Sequence, residues 1–120
     1  MHIKYLFENI EVSAKIRAYI EKRFSGIEKL LEEKDLEATF IEVEVDKDKR
    51  DMYRVEAMVK SPGSMYRSEE TSETIEASVD VVNDELKRQI REEKEKLTTL
   101  HKRGARSIKK KMVIDENARF

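Results

Sequence analysis

Cationic side chains with a spacing suited to phosphate binding are concentrated in the last third of the sequence. Four of them belong to one predicted helix: Lys87, Arg88, Arg91 and Lys94. On a helical wheel they fall about 80° to 200° from the apolar axis, so each can reach a separate phosphate from one rigid support. Arginine can also bind a phosphate through two parallel hydrogen bonds. A solvated helix face, paired with the three glutamates between positions 92 and 95, is the competing interpretation.

A second group of cations follows in the C-terminal segment, with no acidic residue between them: Lys102, Arg103, Arg106, Lys109, Lys110 and Lys111. Because they have no local partner, binding to a polyanion would release their counterions. A solubility tail is the alternative. An earlier predicted helix adds Lys22, Arg23 and Lys29.

The overall net charge of -1 conceals a strong asymmetry along the chain. Residues 1–86 contain 13 Lys and Arg against 21 Asp and Glu, whereas residues 87–111 contain 11 Lys and Arg against 3 Glu. The net charges are therefore -8 and +8. This division favours a function that involves nucleic acid, an acidic surface or an anionic membrane.

Residue patterns typical of enzymes are missing from the sequence. His2 and His101 are the only histidines and lie in different contexts, so no metal-ligand spacing exists. The glycines are too far apart for a phosphate-binding loop, and the carboxylates fall mainly on predicted solvated faces. We therefore expect no catalytic residue, no metal site, no cofactor and no small-molecule substrate.

The absence of cysteine excludes disulfides and thiolate chemistry, which favours a reducing cytoplasm. The N-terminal residues show no signal-peptide pattern, and no apolar stretch is long enough to span a bilayer. We expect a soluble cytoplasmic protein with no membrane partner.

The elements that would position these cations follow from hydrophobic periodicity. Residues 1–7 alternate as a short strand, and Ser13 is a good N-cap for a helix over residues 14–31. Gly26 lies inside that helix and costs roughly 1 kcal/mol relative to alanine. Over residues 36–46 apolar and polar side chains alternate again, which predicts a half-buried strand with acidic side chains on its solvated face.

Two further strands and a second helix complete the pattern. The polar run 46–51 predicts a hairpin with a strand over residues 53–60, and Ser61 to Ser64 form a turn into a polar edge strand over 65–72. The apolar stripe of helix two predicts one packed face. Its members are Ile75, Val79, Val82, Leu86, Ile90, Leu97 and Leu100.

The predicted order is thus β-α-β-β-β-α, an α+β fold with a four-stranded sheet and two helices on one of its faces. Residues 1–100 should form one domain. Residues 101–120 should form a flexible basic C-terminal tail, because no apolar period continues past Leu100 and Gly104 interrupts the helix.

The run Leu86-Lys87-Arg88-Gln89-Ile90-Arg91, followed by Lys94 and Lys96, resembles a pattern of the ribosome hibernation-promoting factor and ribosome-associated inhibitor family. Asn9 to Ser13 before helix one, and Arg23-Phe24 with Ile27 to Lys29 near its end, are similar too. The resemblance covers about residues 1 to 100.

The resemblance implies a fold like the double-stranded RNA-binding domain, whose helices lie between head and body of the small ribosomal subunit. There they would overlap the paths of messenger RNA and transfer RNA and inhibit translation in stress. Carried over by position, the residues that would contact ribosomal RNA are Arg23, Lys29, Arg88, Arg91 and Lys94. The charge argument adds Lys22, Lys87, Lys102, Arg103 and Arg106. The chain is similar to the short members, so we expect a monomer without their longer relatives' dimer-forming domain.

Two other functions stay open from sequence. A general module for structured RNA would bind free duplexes as well as it binds ribosomes. A protein-interaction module would instead use the acidic sheet face, with Glu42, Glu44 and Glu56 as its working residues.

Overall fold

The computed structural model describes the side chains of residues 1–100 and the backbone as far as residue 118. Its elements are β1 (His2–Glu8), α1 (Ala14–Ser25), two 3₁₀ segments (Gly26–Leu30 and Glu33–Ala38), β2 (Phe40–Lys47), β3 (Tyr53–Ser61), β4 (Ser64–Ser72) and α2 (Ile75–Ala118). The chain forms two compact units, Met1–Ile90 and Arg91–Phe120. The first unit contains the whole sheet, and the second contains the later part of α2.

The four strands form one sheet in the order β1-β2-β3-β4. β1 runs parallel to β2, and the other two pairs are antiparallel. The predicted α+β fold, the β2–β3 hairpin and the edge position of β4 are therefore confirmed. The connection between β1 and β2 contains α1, as parallel neighbours require a crossover.

Local signals fix where the elements begin and turn. The hydroxyl of Ser13 accepts a hydrogen bond from the amide of Ile16 at 3.2 Å, and Thr74 caps α2 in the same way through the amide of Ala77 at 3.1 Å. Gly63 has a φ of 77°, so the β3–β4 turn uses a conformation that side chains disfavour.

One hydrophobic core lies between the sheet and the helices of the first unit. Its aliphatic and aromatic members come from α1 and the first 3₁₀ segment, from the inward faces of β2 and β3, and from one stripe of α2. The central ones are Ile20, Phe24, Ile27, Ile41, Val43, Val45, Val55, Val59, Val79, Val82, Leu86 and Ile90. Both helices therefore pack on the same face of the sheet, as predicted.

The predicted boundaries of helix one and strand two were wrong. α1 ends at Ser25, and the chain tightens into a 3₁₀ segment at Gly26, whose low helix propensity lets the α-helix end there. Strand two begins at Phe40 rather than residue 36. The hydroxyl of the buried Thr39 donates to the carbonyl of Asp35 at 2.7 Å, which holds residues 33–38 in a second 3₁₀ segment.

The end of α2 also differs from the prediction. Ile90 is the last α2 residue in the core, whereas Leu97 and Leu100 are 50% and 52% exposed. The apolar stripe thus continues beyond the sheet that could cover it. The helical backbone continues through Gly104 to Ala118, because a single glycine among good helix formers costs only about 1 kcal/mol. No helix in the described part of the chain is long and apolar enough to cross a bilayer.

Candidate nucleic-acid interface

A cluster of three polar side chains joins α1 to α2 at the surface. The carboxylate of Asp80 on α2 accepts a hydrogen bond from the Tyr19 hydroxyl at 2.6 Å and another from Nε of Arg23 at 2.7 Å. The Arg23 guanidinium also lies 6.0 Å from the centre of the Tyr19 ring. These contacts join the two helices. They also pair Arg23, one of the arginines predicted to bind RNA, with a carboxylate of the same chain.

The charge of Asp80 is stabilised by this cluster. Partial burial raises the pKa of Asp80, but the hydrogen bonds from Tyr19 and Arg23 outweigh it and lower the pKa below its ordinary value. Because the folded pKa is lower than the unfolded one, the stabilising contribution is present at neutral pH. It is lost as the pH falls through the lowered pKa.

Replacing Asp80 by asparagine should therefore lower the stability of the fold but raise its affinity for RNA. We expect the free energy of unfolding to fall by about 1 kcal/mol, since the pair is partly exposed and only its hydrogen bonds weaken. Arg23 would then be available to a phosphate, and RNA affinity should rise by roughly twofold to fivefold. Urea unfolding and a salt-controlled RNA-binding assay measure the two effects. Weaker RNA binding by Asp80→Asn would contradict the idea that Asp80 competes with RNA for Arg23.

Three lysines lie where the end of α1 approaches α2. Lys22 is in the last turn of α1, and Lys29 is in the 3₁₀ segment that begins at Gly26; both are exposed. Lys87 on α2 extends to Gly26, where an added Cβ would lie 3.0 Å from its Nζ. Within residues 1–100 none of the three ammonium groups forms an ion pair. We call Lys22, Arg23, Lys29 and Lys87 the interhelical basic surface.

Arg88 lies on a different flank of α2 from Lys87. It forms a bidentate ion pair with Glu85, with nitrogen–oxygen distances of 2.5 Å and 2.9 Å. Hydrogen bonds from Arg88 and then Gln89 lower the pKa of Glu85 to about 2. Glu85 also accepts a hydrogen bond from Gln89, which contacts β4, so this group is on the β4 side of α2. The structure thus does not gather all predicted cations of helix two on one surface.

Gln89 has a structural role that the motif did not reveal. Its amide nitrogen donates to the carbonyl of Arg67 at 2.9 Å, and its amide oxygen accepts from the Arg67 N–H at 3.3 Å. The side chain thereby pairs with the free edge of β4 as a neighbouring strand would, which protects that edge from other chains.

Replacing Gln89 by methionine should lower the free energy of unfolding by about 1 to 2 kcal/mol, because both hydrogen bonds to the β4 edge are lost. Urea denaturation measures this loss, and amide hydrogen exchange at Arg67 should accelerate. An unchanged exchange rate at Arg67 would show that the edge does not depend on Gln89.

The remaining predicted residues lie in the second unit or beyond the described side chains. Arg91 and Lys94 are exposed on the part of α2 in the second unit. The side chains of Lys102, Arg103 and Arg106, and that of His101, lie outside the described residues, so the basic tail stays a prediction. His2 stacks on Phe40 at 5.3 Å and is away from both helices.

The acidic sheet face is compensated by its own cations. Arg54 on β3 contacts Glu44 at 3.7 Å and Glu56 at 2.6 Å. Arg67 also contacts Glu56, at 3.1 Å, and Lys60 pairs with Glu42 at 3.3 Å. The three glutamates that the protein-interaction hypothesis would use are therefore already paired across strands, as opposite charges on neighbouring strands favour.

Asp80 was not predicted from the sequence, and neither were the contacts that Tyr19 and Gly26 make with α2. Gly26 was considered only for its helix propensity. No local signal identifies their partners, because Tyr19 and Asp80 are 61 residues apart and Gly26 and Lys87 are equally distant. The positions of the two helices on the sheet bring them together.

The chain is similar to known proteins over most of its length. Residues 3–98 match the family model described as sigma 54 modulation protein / S30EA ribosomal protein. A ribosome hibernation promotion factor of Lactococcus lactis is 31% identical over 90 residues, which cover 75% of this chain and 48% of that protein. One from Picosynechococcus is 34% identical over 92 residues, with coverages of 73% and 46%. The chain thus spans about half the length of these relatives.

Two solved structures are similar to this fold. The N-terminal domain of Thermus thermophilus Protein Y superposes with a TM-score of 0.65 at 27% identity, covering 75% of this chain and 96% of that domain. A ribosomal subunit interface protein from Coxiella burnetii also gives 0.65, at 22% identity, with coverages of 78% and 98%. The second likeness concerns the fold alone.

Proposed function

Because this chain belongs to the sigma 54 modulation protein / S30EA ribosomal protein family, we propose that it is a ribosome hibernation factor that binds the small ribosomal subunit. In this proposal it acts in the cytoplasm as a non-catalytic monomer. It occupies the decoding region between head and body, excludes messenger RNA and transfer RNA, and inhibits translation under stress.

The observation that supports binding to RNA is the interhelical basic surface. The first unit carries 15 Lys and Arg against 21 Asp and Glu, a net charge of -6, so most of its surface repels RNA. Lys22 and Lys29 nevertheless flank Gly26, which Lys87 contacts from α2, and none of the three forms an ion pair within residues 1–100. Lysines whose charges are not neutralised by a neighbouring carboxylate can attract a polyanion to this junction although the unit as a whole is acidic.

The helices of the first unit also suit a steric mechanism. α1 and α2 are joined through Tyr19, Arg23 and Asp80 and packed on one sheet, so they form a rigid body. A rigid body can exclude another ligand from a shared site without changing shape on binding. Arg88, Arg91 and Lys94 extend the basic character along α2 and are proposed as further phosphate contacts.

The decisive experiment is co-sedimentation of the purified chain with separated small and large ribosomal subunits over a salt series, with a free RNA duplex as competitor. Stoichiometric binding to small subunits that weakens with salt and resists the duplex supports the proposal. Equal binding to both subunits and to the duplex would favour a general RNA-binding module. Binding to neither would direct the search to a protein partner.

Steric occlusion is tested separately in a cell-free translation reaction. The chain should inhibit initiation when added to free small subunits. It should have little effect on subunits that already hold messenger RNA and initiator transfer RNA. Equal inhibition in both orders of addition would exclude competition for the decoding region.

A further inference from the structure

β1 is an edge strand whose outer side is left open by the described part of the chain. The sheet order places β1 next to β2 alone, and within residues 1–100 no other element pairs with it. The opposite edge is different, because the side chain of Gln89 pairs with β4. β1 contains neither a proline nor a bulge, two of the features that commonly keep edge strands from pairing with other chains.

The free backbone groups of β1 belong to alternate residues. The amide of His2 donates to the carbonyl of Thr39, on the β2 side, at 2.9 Å. Because successive residues of a strand direct their N–H and C=O groups to opposite sides, those of Ile3, Tyr5 and Phe7 point away from β2. No hydrogen bond within residues 1–100 uses them, so the edge offers a row of alternating donors and acceptors.

The inward side chains of β1 are incompletely covered as well. Ile3, Tyr5 and Phe7 are only half-buried, whereas the three residues opposite them on β2 are buried. The Tyr5 and Phe7 rings stack at 5.6 Å, and the Tyr5 hydroxyl is buried without a hydrogen-bond partner among the described residues. The helices on this face thus do not cover the edge completely, and a further strand beside β1 would bury apolar area.

The backbone and the inward face of β1 match a second copy of the same strand in antiparallel orientation. With Tyr5 opposite Tyr5 of the second copy, Ile3 lies opposite Phe7 at both ends. All three residues then exchange hydrogen bonds across the pair, because each already directs its backbone groups to that side. The three half-buried side chains of each copy become neighbours of those of the other.

The outer face of the strand is compatible with the same register. His2 lies opposite Glu8, which places a histidine beside a carboxylate. Lys4 lies opposite Leu6, whose side chain is 53% exposed in the single chain. Each of these pairs occurs twice about a two-fold axis through Tyr5, and no two like charges are directly opposite.

Neighbouring registers fit less well. Only shifts by two residues keep the free backbone groups of both strands facing each other. A shift in one direction places Lys4 opposite Lys4, which is unfavourable. The other shift places Leu6 opposite Leu6, but it shortens the overlap from seven to five residues and leaves two of the three hydrogen-bonded pairs. The register centred on Tyr5 therefore gives the best pairing.

We infer that β1 is a self-association edge, through which two copies of the free chain pair antiparallel about Tyr5 into one continuous sheet. The partner is a second copy because the edge complements itself in backbone hydrogen bonds, in apolar contacts and in charge. The interface is small, so the dimer is weak and forms at micromolar or higher concentration. It uses no residue of the interhelical basic surface and does not depend on the proposed function, in which the ribosome-bound chain is a monomer.

The first test is sedimentation velocity of the unmodified chain, Leu6→Lys and Leu6→Glu over a concentration series up to about 500 μM, which covers weak association. Because Leu6 is exposed, neither change should disturb the core. Leu6→Lys places a lysine opposite Lys4 at two positions and should weaken dimerisation about tenfold. Leu6→Glu places an acid opposite Lys4 and should dimerise within about threefold of the unmodified chain. Net charge alone predicts the reverse order, since the first unit is acidic.

The matched control is Met65→Lys. Met65 is 65% exposed on β4, at the other edge of the same sheet, so the change again replaces an exposed apolar side chain by lysine. This variant should dimerise like the unmodified chain. Circular dichroism and thermal melting establish that all three variants are folded.

Cysteine cross-linking tests the register, because the chain contains no cysteine of its own. The outer-face residues form the non-hydrogen-bonded pairs, whose Cα atoms lie about 4.5 Å apart, close enough for a disulfide. A mixture of Lys4→Cys and Leu6→Cys chains under mild oxidation should therefore form the mixed disulfide faster than either chain forms a disulfide with itself.

Three outcomes overturn the inference. The first is an unmodified chain that stays monomeric throughout the series and whose cysteine variants form no mixed disulfide. The second is an equal loss of dimerisation in Leu6→Lys and Met65→Lys, which would place the interface elsewhere. The third is an equal loss in Leu6→Lys and Leu6→Glu with preferred self-linking of Leu6→Cys, which would centre the pairing on Leu6.

Discussion

Replacing Lys22 and Lys87 together by glutamate is expected to abolish co-sedimentation with small ribosomal subunits at physiological salt, a loss of affinity of roughly a hundredfold or more. The pair changes the net charge of the first unit from -6 to -10, by two units at each of two positions. After this change the interhelical basic surface repels RNA phosphates at two positions where it attracted them. The counterions that two lysines would displace from RNA are then no longer released on binding.

The matched control for this charge reversal is Lys49→Glu with Arg50→Glu. Both residues are exposed in the β2–β3 turn, so the change in net charge is the same but its location is different. We expect this control to retain most of the affinity, with circular dichroism confirming that both variants are folded. Equal losses in the two variants would mean that net charge, and not the interhelical basic surface, determines binding.

Phe24→Ala is expected to lower the free energy of unfolding by about 3 to 5 kcal/mol, a large fraction of the roughly 5 to 15 kcal/mol by which folded domains are stable. Phe24 is fully buried, and it is the largest of the fully buried side chains. It lies between Lys22 and Gly26 in sequence, so the side chain that anchors the end of α1 in the core also positions the end of the helix that carries Lys22. Urea denaturation with an unchanged m-value would measure the loss.

Val81→Ala is the control for this substitution. Val81 is 47% exposed on α2, so removing its methyl groups leaves no cavity and should change the free energy of unfolding by at most about 0.5 kcal/mol. A loss below about 1 kcal/mol for Phe24→Ala would show that the core collapses around the missing ring. The end of α1 would then be held by other contacts.

The two predictions test the stability of the fold and the proposed binding surface separately. The Lys22 and Lys87 variant changes the charge and keeps the buried core, whereas the Phe24 variant loses a buried side chain with its charges unchanged. Asp80→Asn should change both quantities, because Asp80 joins the two helices and also pairs with Arg23.

The order of elements was determined by the sequence alone. Alternation with period two in β2 and β3, helical spacing in α2 and the cap at Ser13 are local properties, and hydrogen bonding and burial act on them within a few residues. For that reason the β-α-β-β-β-α order and the hairpin were predicted correctly. The end of α1 was not, because a glycine lowers helix propensity without determining where a helix ends: α1 changes to a 3₁₀ segment at Gly26, whereas α2 continues through Gly104.

Which cations share the proposed binding surface was decided by the tertiary structure. A helical wheel gives the direction of each cation from its own helix axis, but not the identity of the neighbouring element. The packing of α1 against α2 pairs Arg23 with Asp80 and brings Lys87 to Gly26, whereas the β4 edge engages Gln89. These contacts join residues 22 to 61 positions apart, and only the packing of both helices on one sheet determines which charges remain available to a partner.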